Sequence, residues 1–375
     1  MSFAVNGTTG ITFNDNTNMG TAASLGPRNR IINGNMAVDQ RNNGGSVTAS
    51  TTGATTYTID RWSYYTTQAS KFTIQQNAGS VTPPSGFNKY LGFTSSSSYT
   101  VTSTDLITTL QGIEGYNVAD LNFGTANAKT ITLSFWAYSS LTGTFAGSVI
   151  GTNGSTFRSY VFTFSIASAN TWTYITVTIP GDTTTFSYNT TNGQGLALCF
   201  NLGCGSNYQT TAGSWTSSNY YSTSGAQNIV STNGATFYIT GVQLEVGSVA
   251  TPYQFNTYSD QLSQCQRYYV KYTNNSLPYV QFAIGRCYST TGGSANLYFP
   301  VPMRTQPTFG YTTPVSGNFD YSVSALNISG YPSNGSNSNN NISIGATGSF
   351  TNGGAFALAA ANVSTLVYLD FSAEL

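Results

Sequence analysis

Residues 130–138 read TITLSFWAY, in which Ile131, Leu133, Phe135 and Ala137 alternate with Thr132, Ser134, Trp136 and Tyr138. That two-residue period is the mark of a strand with one face in a core. It returns in WTYITVTI (172–179), in GLALCFNL (195–202), where Leu196, Leu198, Phe200 and Leu202 share a face, and in FYITGVQL (237–244). Half-buried strands at this spacing, parted by turns such as Pro180-Gly181-Asp182, pair into antiparallel sheets, and each sheet needs a second one to cover its apolar face. The expected fold is all-β: an antiparallel jelly-roll β-sandwich, then a second, smaller β-sandwich, with a short extended N-terminal arm.

Composition narrows the chemistry. Of 375 residues only 24 are charged, 12 basic and 12 acidic, so no net field is available to hold nucleic-acid phosphates. Histidine is absent, which removes His-based triads, His-ligated zinc and His proton switches. In place of charges stand 178 Ser, Thr, Asn and Gly residues. Such polarity without aromatics would mean disorder, but 26 Tyr and 22 Phe supply enough ring area for real cores. The N-terminal MSFAVNGTTG has no basic start and no apolar run, and no stretch of eighteen apolar residues follows, so neither a secretory signal nor membrane insertion is expected.

The organisation reads as four parts. Residues 1–27 form an anchoring or oligomerisation arm with one strand at 11–13, too small to bury a core alone. Residues 28–255 form the jelly roll, 256–275 a short helical linker capped by Ser259 or Asp260, and 276–375 the C-terminal sandwich. Cys199, Cys204, Cys265 and Cys287 lack the paired spacing of a zinc site; buried free thiols are expected, with a disulfide or a metal as the alternatives.

Because charges are scarce, their positions inform. Arg28, Arg30, Asp39, Arg41, Asp60 and Arg61 crowd into one stretch, as internal ion pairs pinning the first strands or as a docking face for another protein. Trp62 and Trp136 lie in strand patterns and read as core. The long polar segment 205–234 carries Tyr208, Trp215, Tyr220 and Tyr221 without core periodicity, which leaves a glycan or subunit contact and simple packing over the sandwich both open. Tyr331, in the Asn-rich loop 329–345, is a further candidate for a receptor-facing tip. An acid-pair glycosidase would need two carboxylates at a fixed separation, and Asp105, Glu114 and Asp120 are the one acidic cluster without an adjacent base. Nucleotide-binding and serine-hydrolase motifs are absent. No catalytic residue, metal or cofactor is expected, and the chain reads as a non-enzyme.

Several segments carry a resemblance. RNRIINGNMAVDQRN (28–42), YTIDRWSYY (57–65), TGVQLEVGSVATPYQF (240–255), LSQCQRYYVKY (262–272), FPVPMRTQPT (299–308) and the final FSAEL resemble, in order, a family of structural proteins of tailed bacteriophages, mostly tail-fibre or receptor-binding virion proteins. The LEVGS-ATPY stretch also resembles the closing strand of carbohydrate-binding jelly rolls. The resemblance implies a virion location on tail or capsid exterior, other tail, baseplate or capsid proteins as partners, a homotrimer, and attachment to bacterial surface glycans; a capsid-associated, decoration or baseplate protein without receptor contact is the alternative. Asn, Ser and Thr with interleaved rings suit sugars, since rings stack on the apolar faces of pyranoses and amides bond their hydroxyls.

Overall fold

The computed structural model describes residues 28–312, 338–347, 349–360 and 366–375, together with the backbone of short strands at 4–6, 10–12, 18–19, 319–321, 324–325 and 327–330. The three N-terminal strands, Ala4–Asn6, Gly10–Thr12 and Asn18–Met19, pair antiparallel into a small sheet, where the sequence pointed to one strand. Two sheets then face each other. A six-stranded sheet runs in the order Thr173–Ile179, Ile131–Ser139, Thr236–Val246, Leu91–Ser95, Phe72–Gln76, Val47–Thr48. Its seven-stranded partner runs Trp215–Ser217, Phe157–Ile166, Gly143–Thr152, Gln194–Cys204, Leu106–Glu114, Trp62–Thr66, Thr56–Ile59. This is the jelly-roll sandwich that the alternation demands. Leu133 and Phe135 from one sheet, and Leu198 and Phe200 from the other, point into one continuous core. Phe200 sits at its centre, with ring centroids 5.0 Å from Phe135, 6.2 Å from Phe237, 6.3 Å from Phe162 and 6.4 Å from Trp62. Trp62 is fully buried, and its indole N–H donates to Asn33 O at 3.1 Å.

The helix occupies Tyr258–Gln266 and is capped by Thr257, whose hydroxyl accepts from Asp260 N at 3.2 Å, two and three positions before the expected caps Ser259 and Asp260. Its buried side carries Gln261 and Cys265. Tyr269–Thr273 is already a strand of the C-terminal sandwich, in a three-stranded sheet with Tyr368–Ser372 and Thr308–Tyr311. The facing sheet has seven strands, with Ala355–Ala360, Gln281–Cys287, Gly292–Tyr298 and Asn341–Thr347 at its middle. Val270, Leu297, Ile344, Leu358 and Phe371 fill a separate core. Among the described residues no helix is long and apolar enough to cross a membrane.

Charged side chains tie the two sandwiches together. Arg267 donates to both oxygens of Glu114 at 3.0 and 2.5 Å, and the Tyr268 hydroxyl donates to the same carboxylate at 2.6 Å. Burial alone would raise the Glu114 pKa, but these donors outweigh it and hold the carboxyl below its usual range. Glu374, just after the last strand of the second sandwich, takes Arg41 at 2.8 Å and also Arg61. Arg304, anchored within the second sandwich on the carbonyls of Ala373 and Glu374 at 2.7 and 2.6 Å, crosses to Asn192 O at 2.8 Å, and the Tyr57 hydroxyl donates to Leu375 O at 3.0 Å.

Candidate functional site

The same alternation that fills the core puts Thr132, Ser134, Trp136 and Tyr138 on the outer face of the six-stranded sheet. Register then builds a ring surface. Trp136 lies opposite Tyr174 on one side and Thr240 on the other, and Tyr138 lies opposite Tyr238. The Trp136 and Tyr174 centroids are 5.2 Å apart, and Tyr138 stacks on Tyr238 at 5.2 Å with planes 4° apart. Tyr238 stacks in turn on Tyr90 at 5.2 Å, and Trp172 meets Tyr90 at 5.5 Å and Tyr138 at 5.4 Å.

One end of this surface is roofed. The segment after Asn77 crosses it: the Tyr90 hydroxyl donates to Ala78 O at 2.5 Å and accepts from Val81 N at 2.8 Å, and the Trp172 indole N–H donates to Thr82 O at 2.8 Å. Tyr90 and Tyr238 are buried beneath it. The other end is open, and a bulge shapes it. The register between Ile131–Ser139 and Thr236–Val246 slips between Ser134 and Trp136, and Gly241 sits in the slip at φ +62°. A Cβ there would lie 2.6 Å from the Phe87 ring and 3.2 Å from Trp136, so only glycine lets Phe87 settle beside Trp136. Phe87 packs on Tyr253 and Phe255, both at 5.2 Å. The outcome is a row in which Tyr174 and Trp136 stand on neighbouring strands and Phe87 and Phe255 come from the segments beside them. Tyr174 and Phe255 are 45 % and 55 % exposed, while Trp136 and Phe87 are half-buried. Exposed Thr176 and Thr178 flank it with hydroxyls. Trp136, read from its strand pattern as core, belongs to this outer row. The sequence singles out none of Tyr174, Phe87 and Phe255 as a site residue; the outward half of the WTYITVTI alternation is the signal for the first.

Tyr208, Tyr220 and Tyr221 of the 205–234 segment lie on the opposite side of the sandwich, over the outer face of the seven-stranded sheet, whereas Trp215 stands opposite Tyr160 in the register and packs on the edge of the main core. The Trp215 indole N–H donates to Pro180 O at 2.7 Å, and its ring packs on Phe123 at 5.5 Å and Tyr160 at 5.6 Å. Tyr221 packs against Ile150, Ala197 and Cys199, and burial pushes its phenol pKa up. Tyr208 meets Tyr221 at 6.2 Å, and Tyr220 N donates to the Ser159 hydroxyl at 3.3 Å. Tyr208 and Tyr221 are thus brought together, with Trp215 apart from them. Tyr331 lies outside the described residues.

The six clustered charges take up three separate tasks. Arg28 is held through its backbone, its N–H and that of Asn29 donating to the Gln254 side chain, while the Arg30 guanidinium donates to Asp120 at 2.8 Å and Asn117 O at 2.9 Å. Asp39 closes a turn, accepting from Asn42 N at 2.9 Å and Gly44 N at 2.7 Å. Asp60, Arg41 and Arg61 serve the joint. Arg61 occupies the hairpin turn between Thr56–Ile59 and Trp62–Thr66 at φ +71°, where glycine would be at ease; its guanidinium lies 3.6 Å from the Tyr268 ring centroid and donates to Gly112 O at 2.5 Å. Arg41 lies 3.7 Å from the Tyr269 ring centroid. Asp60 accepts twice from Gln40, at 2.6 Å each, and burial pushes its pKa up to about 7.

The carboxylates weighed for acid-pair chemistry are spent internally. Asp105 accepts from Thr102 N and Oγ1, Tyr99, Gln68 and Thr67 at 2.7 to 3.0 Å. Burial opposes its charge, but these donors prevail and lower its pKa. Glu245 accepts from Thr251 N and Oγ1 and from Gln243. The four cysteines are free and buried, and among the described residues no group of three or more His, Cys, Asp or Glu is placed to hold a metal.

No protein-family model matches the chain, and no curated protein matches it. Solved structures similar to it include the enzymatically active domain of bacteriophage CBA120 tailspike protein 4, at 13 % identity and a TM-score of 0.29 over 50 % of this chain and 20 % of that one, so the match spans a small part of the tailspike. The family 11 carbohydrate-binding module of Clostridium thermocellum is similar at 12 % identity and TM-score 0.28, covering 56 % of this chain and 99 % of the module. The N-terminal cellulose-binding domain of Cellulomonas fimi β-1,4-glucanase C is similar at 12 % identity and TM-score 0.25, covering 49 % of this chain and 91 % of the domain.

Proposed function

We propose that this chain is a virion structural protein of a tailed bacteriophage that attaches to host surface glycans through the outer face of its six-stranded sheet. The observation that carries the glycan reading is the open row of Tyr174, Trp136, Phe87 and Phe255, held by cross-strand pairing and a glycine bulge. Ring faces fixed in advance lose little entropy when a sugar stacks on them, and the flanking threonine hydroxyls offer neutral hydrogen bonds. The segments 28–42, 57–65, 240–255, 262–272 and 299–308 support the virion part through their resemblance to phage fibre proteins, and with it the homotrimer and an anchoring role for residues 1–27.

A panel of host polysaccharides tested by calorimetric titration checks this reading. Trp136→Ala with Tyr174→Ala removes two rings worth about 0.5–1.5 kcal/mol each, so binding should weaken about 5-fold or more. Unchanged binding in that variant overturns the site, and loss on Tyr208→Ala with Tyr220→Ala instead would move it to the 205–234 segment. The purely structural reading has its own observation: Ile284, Tyr298 and Tyr288 of the C-terminal sandwich are 72 %, 70 % and 56 % exposed, apolar surface of the kind that protein partners cover. Immunolabelling of intact particles separates the two, since fibre tips and capsid faces are far apart.

A further inference from the structure

A cleft of about 350 Å³ opens where the helix Tyr258–Gln266 meets the jelly roll, lined by Arg30, Ile32, Asn117, Gln264, Arg267 and Tyr268. Its size falls within the roughly 300–1,000 Å³ range of small-ligand sites, and junctions between domains are where such sites concentrate. We propose that this cleft binds the carboxylate of an acidic sugar unit, with Arg30 and Arg267 as the anion-binding pair. None of the row residues lines it, and it does not depend on the row.

Both arginines keep donors that no partner uses among the described residues. A guanidinium carries five N–H bonds. Arg30 uses two, on Asn117 O and Asp120, and its Nε is buried with no partner. Arg267 uses two on Glu114, through Nε and Nη2, and among the described residues its Nη1 has no hydrogen-bond partner. The side chains are 20 % and 36 % exposed, so both reach solvent. The Asn117 and Gln264 side-chain amides likewise make no hydrogen bond among the described residues, and they are the groups suited to sugar hydroxyls. The local charge also favours an anion. Asp120 is shared by Arg30 and Lys129, and Glu114 is bound by Arg267 with the charge of Arg304 also acting on it, so four cations stand against two carboxylates. In a chain with 24 charges this is a rare local excess. Planar forks of this kind match carboxylates in two-point contact, and the amides beside them add what a bare anion would not use.

Asp120 is 46 % exposed and competes with the ligand for Arg30, which gives the test its sharpest arm. The full chain is titrated with D-glucuronate, D-glucose and inorganic phosphate by calorimetry and saturation-transfer NMR. Glucuronate should bind and glucose should not. Arg30→Gln should weaken glucuronate about 10-fold or more, and Asp120→Asn should strengthen it several-fold. Neither change should move the melting temperature without ligand by more than an exposed ion pair does. Trp136→Ala should leave glucuronate binding as it was. Equal binding of glucose and glucuronate, phosphate binding in place of glucuronate, or Asp120→Asn failing to strengthen binding would each overturn the proposal. Should Arg30→Gln fold poorly, the Asp120→Asn arm decides alone.

Discussion

Glu374→Ala isolates the worth of the charged joint between the sandwiches. The Glu374 side chain is 6 % exposed and holds Arg41 and Arg61, whose side chains are 14 % and 1 % exposed. Removing it leaves the Arg61 guanidinium in place with Gly112 O and the Tyr268 ring as its remaining company, and with an Nε that already lacks a partner. A buried charge stranded in this way costs about 3–5 kcal/mol, whereas the median exposed pair is worth about 1 kcal/mol or less. Arg41, nearer the surface, recovers hydration and limits the cost. Because Glu374 belongs to the second sandwich and both arginines to the first, the loss falls on their docking, and each core is left whole. Scanning calorimetry should therefore show two separated transitions in the variant, with the C-terminal sandwich melting first. A second variant, Arg61→Met with Glu374→Leu, removes both charges and should recover most of the loss, since apolar replacements of buried pairs are often neutral. A loss in Glu374→Ala below about 1 kcal/mol, or no recovery in the double variant, would refute the reasoning.

Three further outcomes follow from the same geometry. Asp60, with its pKa raised from 3.8 to about 7 by burial, contributes stability that is fully present below about pH 4 and is lost as pH rises through 7; urea midpoints should fall over that window, and Asp60→Asn should flatten the slope. Asp105 has the opposite sign: its pKa is lowered, so its contribution is present above the ordinary value of 3.8 and lost as pH falls, and Asp105→Ala should cost about 2–4 kcal/mol at neutral pH by leaving Thr102, Tyr99 and Gln68 donors unmet. Gly241→Ala forces a side chain into φ +62° and into the Phe87 ring, so it should cost about 1–2 kcal/mol and weaken neutral-glycan binding without touching a ring itself, as read by denaturation and titration.

The periods in TITLSFWAY and WTYITVTI carry both faces of their strands, which is why the sandwich and half of the aromatic row, Trp136 and Tyr174, can be read from them. Phe87 and Phe255 follow no period; they lie in Pro- and Gly-bearing segments, and a bulge at Gly241 brings Phe87 to Trp136. The charged stretch 28–61 is visible in the sequence, but its partner Glu374 lies 313 positions from Arg61, and no local pattern encodes a pair that distant. The 205–234 aromatics illustrate the reverse case. In GLALCFNL the outward positions Ala197 and Cys199 are as apolar as the inward ones, with Asn201 the polar exception, and this strand is buried on both faces and needs a cover. That signal favoured packing for Tyr221, and it stood in the strand rather than in the segment that answers it.

Scarce charge then separates the two proposed sites by a measurable property. Arg61 and Arg158 are turned inward onto Glu374 and Asp182, and the aromatic row itself carries no charged residue, so it meets its ligand through rings and hydroxyls. Salt screens exposed charge interactions over a Debye length of about 10 Å at 0.1 M and leaves ring stacking almost untouched. Raising the ionic strength should therefore leave neutral-glycan affinity on the Trp136 row unchanged while weakening glucuronate in the Arg30–Arg267 cleft. Arg158, held by Asp182 at 2.7 Å and only 6 % exposed, marks the limit of this effect: a pair so enclosed should keep its contribution to stability across the same salt range. If both ligands weakened together with salt, the rings would not be the contact that binds the neutral glycan.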